Sequence, residues 1–248
     1  MNKELGVLMV LSVVLLSGCG SDKPATVKEG VSESPSKQVS TQLGQATDAK
    51  LKLLASSEDE KVKFYTNTDG VTLDINGNKK DFSWNVPIDT GTAPQVFYTD
   101  VTGDGKEEAV IIIQTGRGTG LSNYDIHVVS AGDLSEIKVQ SYDEIVSDQI
   151  ETHVAKKGDD TLAISAKAQG KEYNFNYGFD AAPDQKQDSL GFGGVYIYSL
   201  ENQKIKLTLG AAVPGTTAYV CDFNVTYKFD SARNELVADQ IEVKPISS

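Results

Sequence analysis

No aromatic residue precedes Phe64, although the chain of 248 residues carries 8 Phe, 10 Tyr and 1 Trp. That division limits where a core can form. From Gly20 to about Glu60 the chain is rich in Ser, Thr, Lys, Glu and Gln, as in SDKPATVKEGVSESPSKQVSTQ. Such a stretch cannot bury enough apolar surface to offset the entropy lost on ordering, and it is expected to be a flexible tether. LGQATDAKLKLLA (43–55) reads as a short helix at its end. The globular part is placed at residues 62–248, a size suited to one domain.

Within that part the signals are strand signals: short β-branched or aromatic runs broken by Gly, Asn and Asp. VKFYT (62–66), VTLDIN (71–76), KDFSW (80–84) and PQVFYTD (94–100) come first. EAVIIIQT (108–115) is apolar at successive positions and reads as a central strand covered on both faces. YDIHVVSA, TLAISAKA, KEYNFNYG, GVYIYSL, KIKLTLG, AYVCDFNVTYKFD and ELVADQIEV follow. Asn76-Gly77, Gly170-Lys171 and Asn202-Gln203 each sit between two alternating runs as hairpin turns. The one helical candidate in the domain is SYDEIVSDQIETHV (141–154), half of which also reads as strand. The expected class is all-β, with antiparallel sheets arranged as a sandwich or a partial propeller.

The 23 basic and 35 acidic side chains leave a net charge of -12. That field repels nucleic acid and anionic lipid headgroups and concentrates cations. The N-terminus, MNKELGVLMVLSVVLLSGCG, holds an apolar run from Leu5 to Leu16. It is shorter than the roughly 20 apolar residues a spanning helix needs and has the length of a secretory h-region. Leu16-Ser17-Gly18-Cys19 resembles the lipobox of bacterial lipoproteins. The resemblance implies a signal peptide at 1–18, cut before Cys19, whose sulfur receives a diacylglycerol. Residues 19–61 would then be a lipid-anchored tether on the extracytoplasmic face of a bacterial membrane, with a Gram-positive cell favoured. At about 0.8 kcal/mol per buried methylene, two or three acyl chains anchor stably. The plainer alternative is an ordinary cleaved signal that ends near a cysteine. With Cys19 consumed, Cys221 has no partner for an internal disulfide and reads as a buried, inert thiol.

DVTGDGKEE (100–108) sets oxygen-bearing side chains at alternate positions just before the central strand. Ca2+ takes six to eight oxygen ligands, and a short loop supplies them when alternate side chains turn inward. Asp100, Thr102 and Asp104 are those positions, and Gly103 and Gly105 permit the tight curl. Lys106 would offer its backbone carbonyl, and Glu108 would close the site from the start of the strand. The stretch resembles the calcium loop of FG-GAP and VCBS-type repeats. In that family the loop joins two strands and an apolar run follows, as Ala109–Ile113 do here. The resemblance implies Asp100, Thr102, Asp104, the Lys106 carbonyl and Glu108 as ligands of one structural Ca2+. Thr102 stands where the family has Asp or Asn, and Glu108 where it has Asp, which implies a weaker, more hydrated site. The alternative is a metal-free turn capped by its own Asp side chains. Without a second copy of the loop, a full propeller is not implied. The domain as a whole resembles the single-loop VCBS-like domains of secreted lipoproteins from spore-forming, low-GC Gram-positive bacteria.

TGRGTGLSN (115–123) is glycine-rich but runs into the strand YDIHVV, so it reads as a loop between strands rather than a phosphate loop. His127 and His153 lack partners at metal-ligand spacing. The leading expectation is a non-catalytic surface protein that binds a protein or a cell-wall component. One alternative is a wall hydrolase using Asp180, Asp184 and Asp188 together with the calcium-loop carboxylates. Another is a small-ligand carrier lined by Tyr196, Tyr198, Tyr219, Tyr227 and Trp84.

Overall fold

The alternating runs fold as strands in the computed structural model, which describes residues 51–87, 90–179 and 188–247. The first four strands form a meander in chain order: β1 (Lys52–Ser56), β2 (Val62–Thr66), β3 (Val71–Ile75) and β4 (Asn78–Phe82). Period two decides its orientation, since Val62, Phe64, Val71, Leu73 and Ile75 are all buried. Asn76 and Gly77 turn β3 into β4 with φ of 53° and 88°, the left-handed pair a two-residue hairpin requires.

β1 corrects two expectations. It lies inside the stretch assigned to the tether, and it occupies the end of the segment read as a helix. Leu-Lys-Leu-Leu-Ala has good helix formers, but pairing with β2 from Lys52 to Ser56 overrides that preference. The rest of that segment, 43–50, lies outside the described residues, as do Cys19 and the other residues before position 51.

The large sheet has eight strands. One layer is β5 (Gln95–Thr99), β6 (Glu108–Gly118), β7 (Leu121–Ser130) and β8 (Glu136–Val139). The other is β12 (Gly191–Glu201), β13 (Lys204–Ala212), β14 (Tyr219–Asp230) and β15 (Glu235–Pro245). β6 pairs along the whole of β7, so β7's other edge is shared: β12 takes Ser122 and Asn123, and β8 takes Val128 and Val129. β15 in turn pairs with β8, so the two layers are continuous through β7–β12 and β8–β15. These two junctions are parallel, in an otherwise antiparallel structure. The fold is therefore β-dominated and sandwich-like, as expected.

β6 is the covered strand the sequence indicates. Ala109, Ile111 and Ile113 face the cluster shared with β2 and β3, whereas Val110 and Ile112 face the larger core between the layers. A third, three-stranded sheet, β9 (Ile150–Lys156), β10 (Thr161–Ala168) and β11 (Lys171–Gly178), adds Val154, Leu162 and Ile164 to that larger core. The segment 141–154 divides as the sequence suggests. Helix α1 (Tyr142–Gln149) starts on a Ser141/Glu144 capping box, then the chain extends into β9.

The β10–β11 turn lies one residue earlier than expected, at Gln169 and Gly170 (φ 49° and 77°), because Lys171 already pairs with Ala168. The Gln169 side chain fastens this turn to the large sheet. Its Oε1 accepts from the Ile241 N–H at 3.1 Å, and its Nε2 donates to the Asp239 carbonyl at 3.1 Å. Asp239 is the unopposed residue of a bulge in the β14–β15 pair, which frees its backbone for that contact.

Candidate calcium loop

Residues 100–108 connect β5 to β6, so the loop closes a hairpin whose second strand is the best-buried in the domain. Gly103 and Gly105 have φ of 78° and 84°, and the curl expected of the two glycines is present. Asp100 is its hub. Oδ1 accepts from the Gly103 N–H at 2.6 Å and the Thr102 hydroxyl at 3.4 Å, and Oδ2 accepts from the Gly105 N–H at 2.8 Å. Desolvation works to raise the Asp100 carboxyl, but these donors hold it below its ordinary value. Asp104 accepts from the Lys106 N–H at 2.8 Å, and the Lys106 ammonium lies 3.6 Å from its other oxygen.

Glu108 differs from its neighbours in being buried, with 4 % exposure. Its Oε2 accepts from the Val101 N–H at 3.0 Å. Burial pushes its carboxyl above the ordinary value, against the backbone N–H bonds, and the charges of Asp100 and Asp104 add to the rise. A buried carboxylate beside two others is a place where a cation would relieve both desolvation and repulsion.

Thr102, Asp104, Lys106 and Glu108 line one hollow of about 380 Å3, to which Asp133 and Asn234 also contribute. Four of the five expected residues border this hollow, whereas Asp100 does not and instead organises the turn. The carboxylates of this arrangement are engaged by backbone N–H groups and by Lys106. Among the described residues no group of three or more His, Cys, Asp and Glu side chains is placed to hold a metal. A Ca2+ held here would draw on Asp100, Thr102, Asp104, the Lys106 carbonyl and Glu108, and the Lys106 ammonium would have to leave Asp104.

The other expected features fall as follows. The glycine-rich stretch is the tip of the β6–β7 hairpin, with Gly118 paired to Leu121, and no phosphate loop forms. Tyr198 and Tyr227 are core residues, Tyr196 stacks on Tyr142 at 4.3 Å, and Tyr219 donates to the Gly120 carbonyl at 2.7 Å. Trp84 packs in the other cluster, so the five aromatics do not share a ligand face. Cys221 is a free, fully buried thiol, pushed up to about 12 by burial. Asp180 and Asp184 lie outside the described residues.

One constellation has no signal in the sequence. Trp84 stacks between Phe82 (4.2 Å) and His127 (3.9 Å). Glu136 binds both Trp84 and His127, meeting His127 Nδ1 at 2.8 Å and accepting from Trp84 Nε1 at 3.4 Å. These side chains come from β4's end, β7 and β8, and only the tertiary fold assembles them.

Fold and loop together define a β-dominated antiparallel domain with one curled acidic turn. No family model, no curated protein and no solved structure matches the chain.

Proposed function

We propose that this protein is a non-catalytic binding protein whose β-domain is stabilised by one weak Ca2+ at residues 100–108. It is displayed outside a bacterial membrane on a Cys19-linked acyl anchor and tether, and it binds a protein or cell-wall component there. The observation that supports the calcium reading is the shared hollow: Thr102, Asp104, Lys106 and the buried Glu108 border it, beside a turn organised by Asp100. Among the described residues no helix is long and apolar enough to cross a membrane. The experiment is thermal unfolding in EDTA and in millimolar Ca2+. Calcium raises the melting temperature of the native chain, and Asp104→Ala abolishes that rise. Superimposable curves with and without calcium would overturn the reading.

A further inference from the structure

Among the described residues β11 pairs with β10 alone and forms one edge of the three-stranded sheet. The sheet's other edge is in use, since the Asp188 carbonyl accepts from the Val154 N–H of β9 at 2.8 Å. The alternation of the β10–β11 hairpin decides which main-chain groups of β11 are free. Its two-residue turn closes on the Ala168–Lys171 pair, and past its far end the Phe179 N–H donates to the Asp160 carbonyl at 2.7 Å. The odd-numbered residues therefore direct their N–H and C=O groups to β10, while Glu172, Asn174, Asn176 and Gly178 turn theirs outward.

Edges of this kind are ordinarily guarded by charge, as on β4, where Lys79, Lys80 and Asp81 are consecutive. On β11 no charged residue lies between Glu172 and Gly178. The stretch Tyr173-Asn174-Phe175-Asn176-Tyr177 is instead a palindrome centred on Phe175. Its three aromatics are partly buried against the large core, and its two asparagines are exposed on the opposite face. An antiparallel two-fold at Phe175 sets Asn174 opposite Asn176 and Glu172 opposite Gly178, the same residues whose main chain points outward. Tyr173 then faces Tyr177 and Phe175 faces its own copy, so aromatics meet aromatics and amides meet amides. Glu172 of the second copy falls diagonal to Asn176, whose Oδ1 holds the Lys157 ammonium at 3.3 Å, so opposite charges approach across the seam.

We propose that β11 pairs with the β11 of a second copy of this chain, in a closed two-fold dimer whose sheet runs unbroken across the seam. The inference goes beyond the binding role proposed above and depends on neither calcium nor the ligand of that role. One strand per copy buries little beside the about 1,600 Å2 of a standard interface, so the dimer is weak. The net charge of -12 on each copy opposes approach, so salt strengthens the pairing.

The test is sedimentation equilibrium of the full chain from micromolar to millimolar concentration, in salt that screens the net charge, with hydrogen exchange at both ends of that range. A monomer–dimer equilibrium is expected, with the Asn174 and Asn176 amides protected only at the high end. Asn174→Lys with Asn176→Lys sets lysine against lysine twice and weakens the dimer about two- to thirty-fold, although it brings the net charge of each copy nearer zero. Asn174→Lys with Asn176→Glu sets lysine against glutamate twice and strengthens it by a similar factor. Both variants change exposed side chains, and circular dichroism checks that each folds. A chain that stays monomeric to millimolar concentration overturns the proposal, as does equal association of the two folded variants. Protection of the Asn174 and Asn176 amides at every concentration assigns the edge to another occupant, and dimers without that protection assign the contact to another surface; either result overturns it as well.

Discussion

Glu108→Gln separates the cost of a buried carboxylate from its use. Glutamine keeps an oxygen for the Val101 N–H, now at 3.0 Å from Oε2, and removes the charge that faces Asp100 and Asp104. The folded-state pKa of Glu108 is raised, so the native state holds this proton more tightly than the unfolded chain does. Its contribution is therefore most favourable at low pH and declines as pH rises from the unfolded value through the folded one. In EDTA at pH 7 the variant is expected to melt at or above the native temperature, and the two converge below the carboxylate range. Calcium reverses the order. Sites of extracellular modules have dissociation constants of about 10⁻⁴ to 10⁻³ M, so 10 mM Ca2+ is about 10 to 100 times that value. The stabilisation is then about 1.4 to 2.7 kcal/mol. For a domain of this size about 1 kcal/mol moves the melting temperature by roughly 2–4 °C, which gives a rise of about 3–11 °C. The variant should lose most of it. Differential scanning calorimetry at pH 7, with and without calcium, gives both numbers. A variant that melts lower in EDTA yet keeps the full calcium rise would refute the role assigned to this carboxylate.

Three further outcomes follow from the packing. Gln169→Ala removes both bonds to the β15 bulge and should cost about 1–2 kcal/mol in urea unfolding, with faster exchange at the Ile241 amide. Gly210→Ala would place a Cβ 2.8 Å from the Tyr219 ring, so overpacking of about 1–3 kcal/mol is expected, and Tyr219→Ala in the same chain should recover part of it. The hydrogen bond to His127 holds the Glu136 carboxyl below its ordinary 4.5; its stabilisation is complete above that value and lost as pH falls through the depressed one. His127→Ala should therefore shift the acid unfolding midpoint to higher pH and move the emission of Trp84, the single tryptophan, to the red.

What the sequence discloses is local. Ala109–Ile113 is apolar at consecutive positions because β6 serves two cores, and that reads directly as a strand covered on both faces. Asn76-Gly77 reveals its turn because Asn and Gly best tolerate φ near 50–90°, and Asn202 (φ 51°) marks its turn in the same way although Gln203 follows it at φ 61°. The loop at 100–108 is legible for the same reason, through Gly103 and Gly105. What stays hidden depends on contacts distant in the chain. β1 is made a strand by β2, against its own helical preference, and the four residues of β8 are too few to show a period. The parallel junctions β7–β12 and β8–β15 each rest on two residue pairs, which no periodicity records. The Phe82–Trp84–His127–Glu136 stack is hidden for the same reason.

The acidic turn fixes one hairpin. Thr99, the last residue of β5, pairs with Glu108, and Asp100 follows it directly. β5 is hydrogen-bonded to β6 and packs beside β1 and β2, with Val96 in the cluster that β2 and β3 share with β6. A cation bound by Asp100 and Glu108 would grip both ends of the turn and so hold β5 in register with β6. By linkage the effect is reciprocal: whatever stabilises that pairing would raise the affinity of the turn for the cation by the same factor. The weakness implied by Thr102 and Glu108 then has a consequence of its own. A site half-filled at ambient calcium responds to a change in the hairpin, whereas a saturated one cannot.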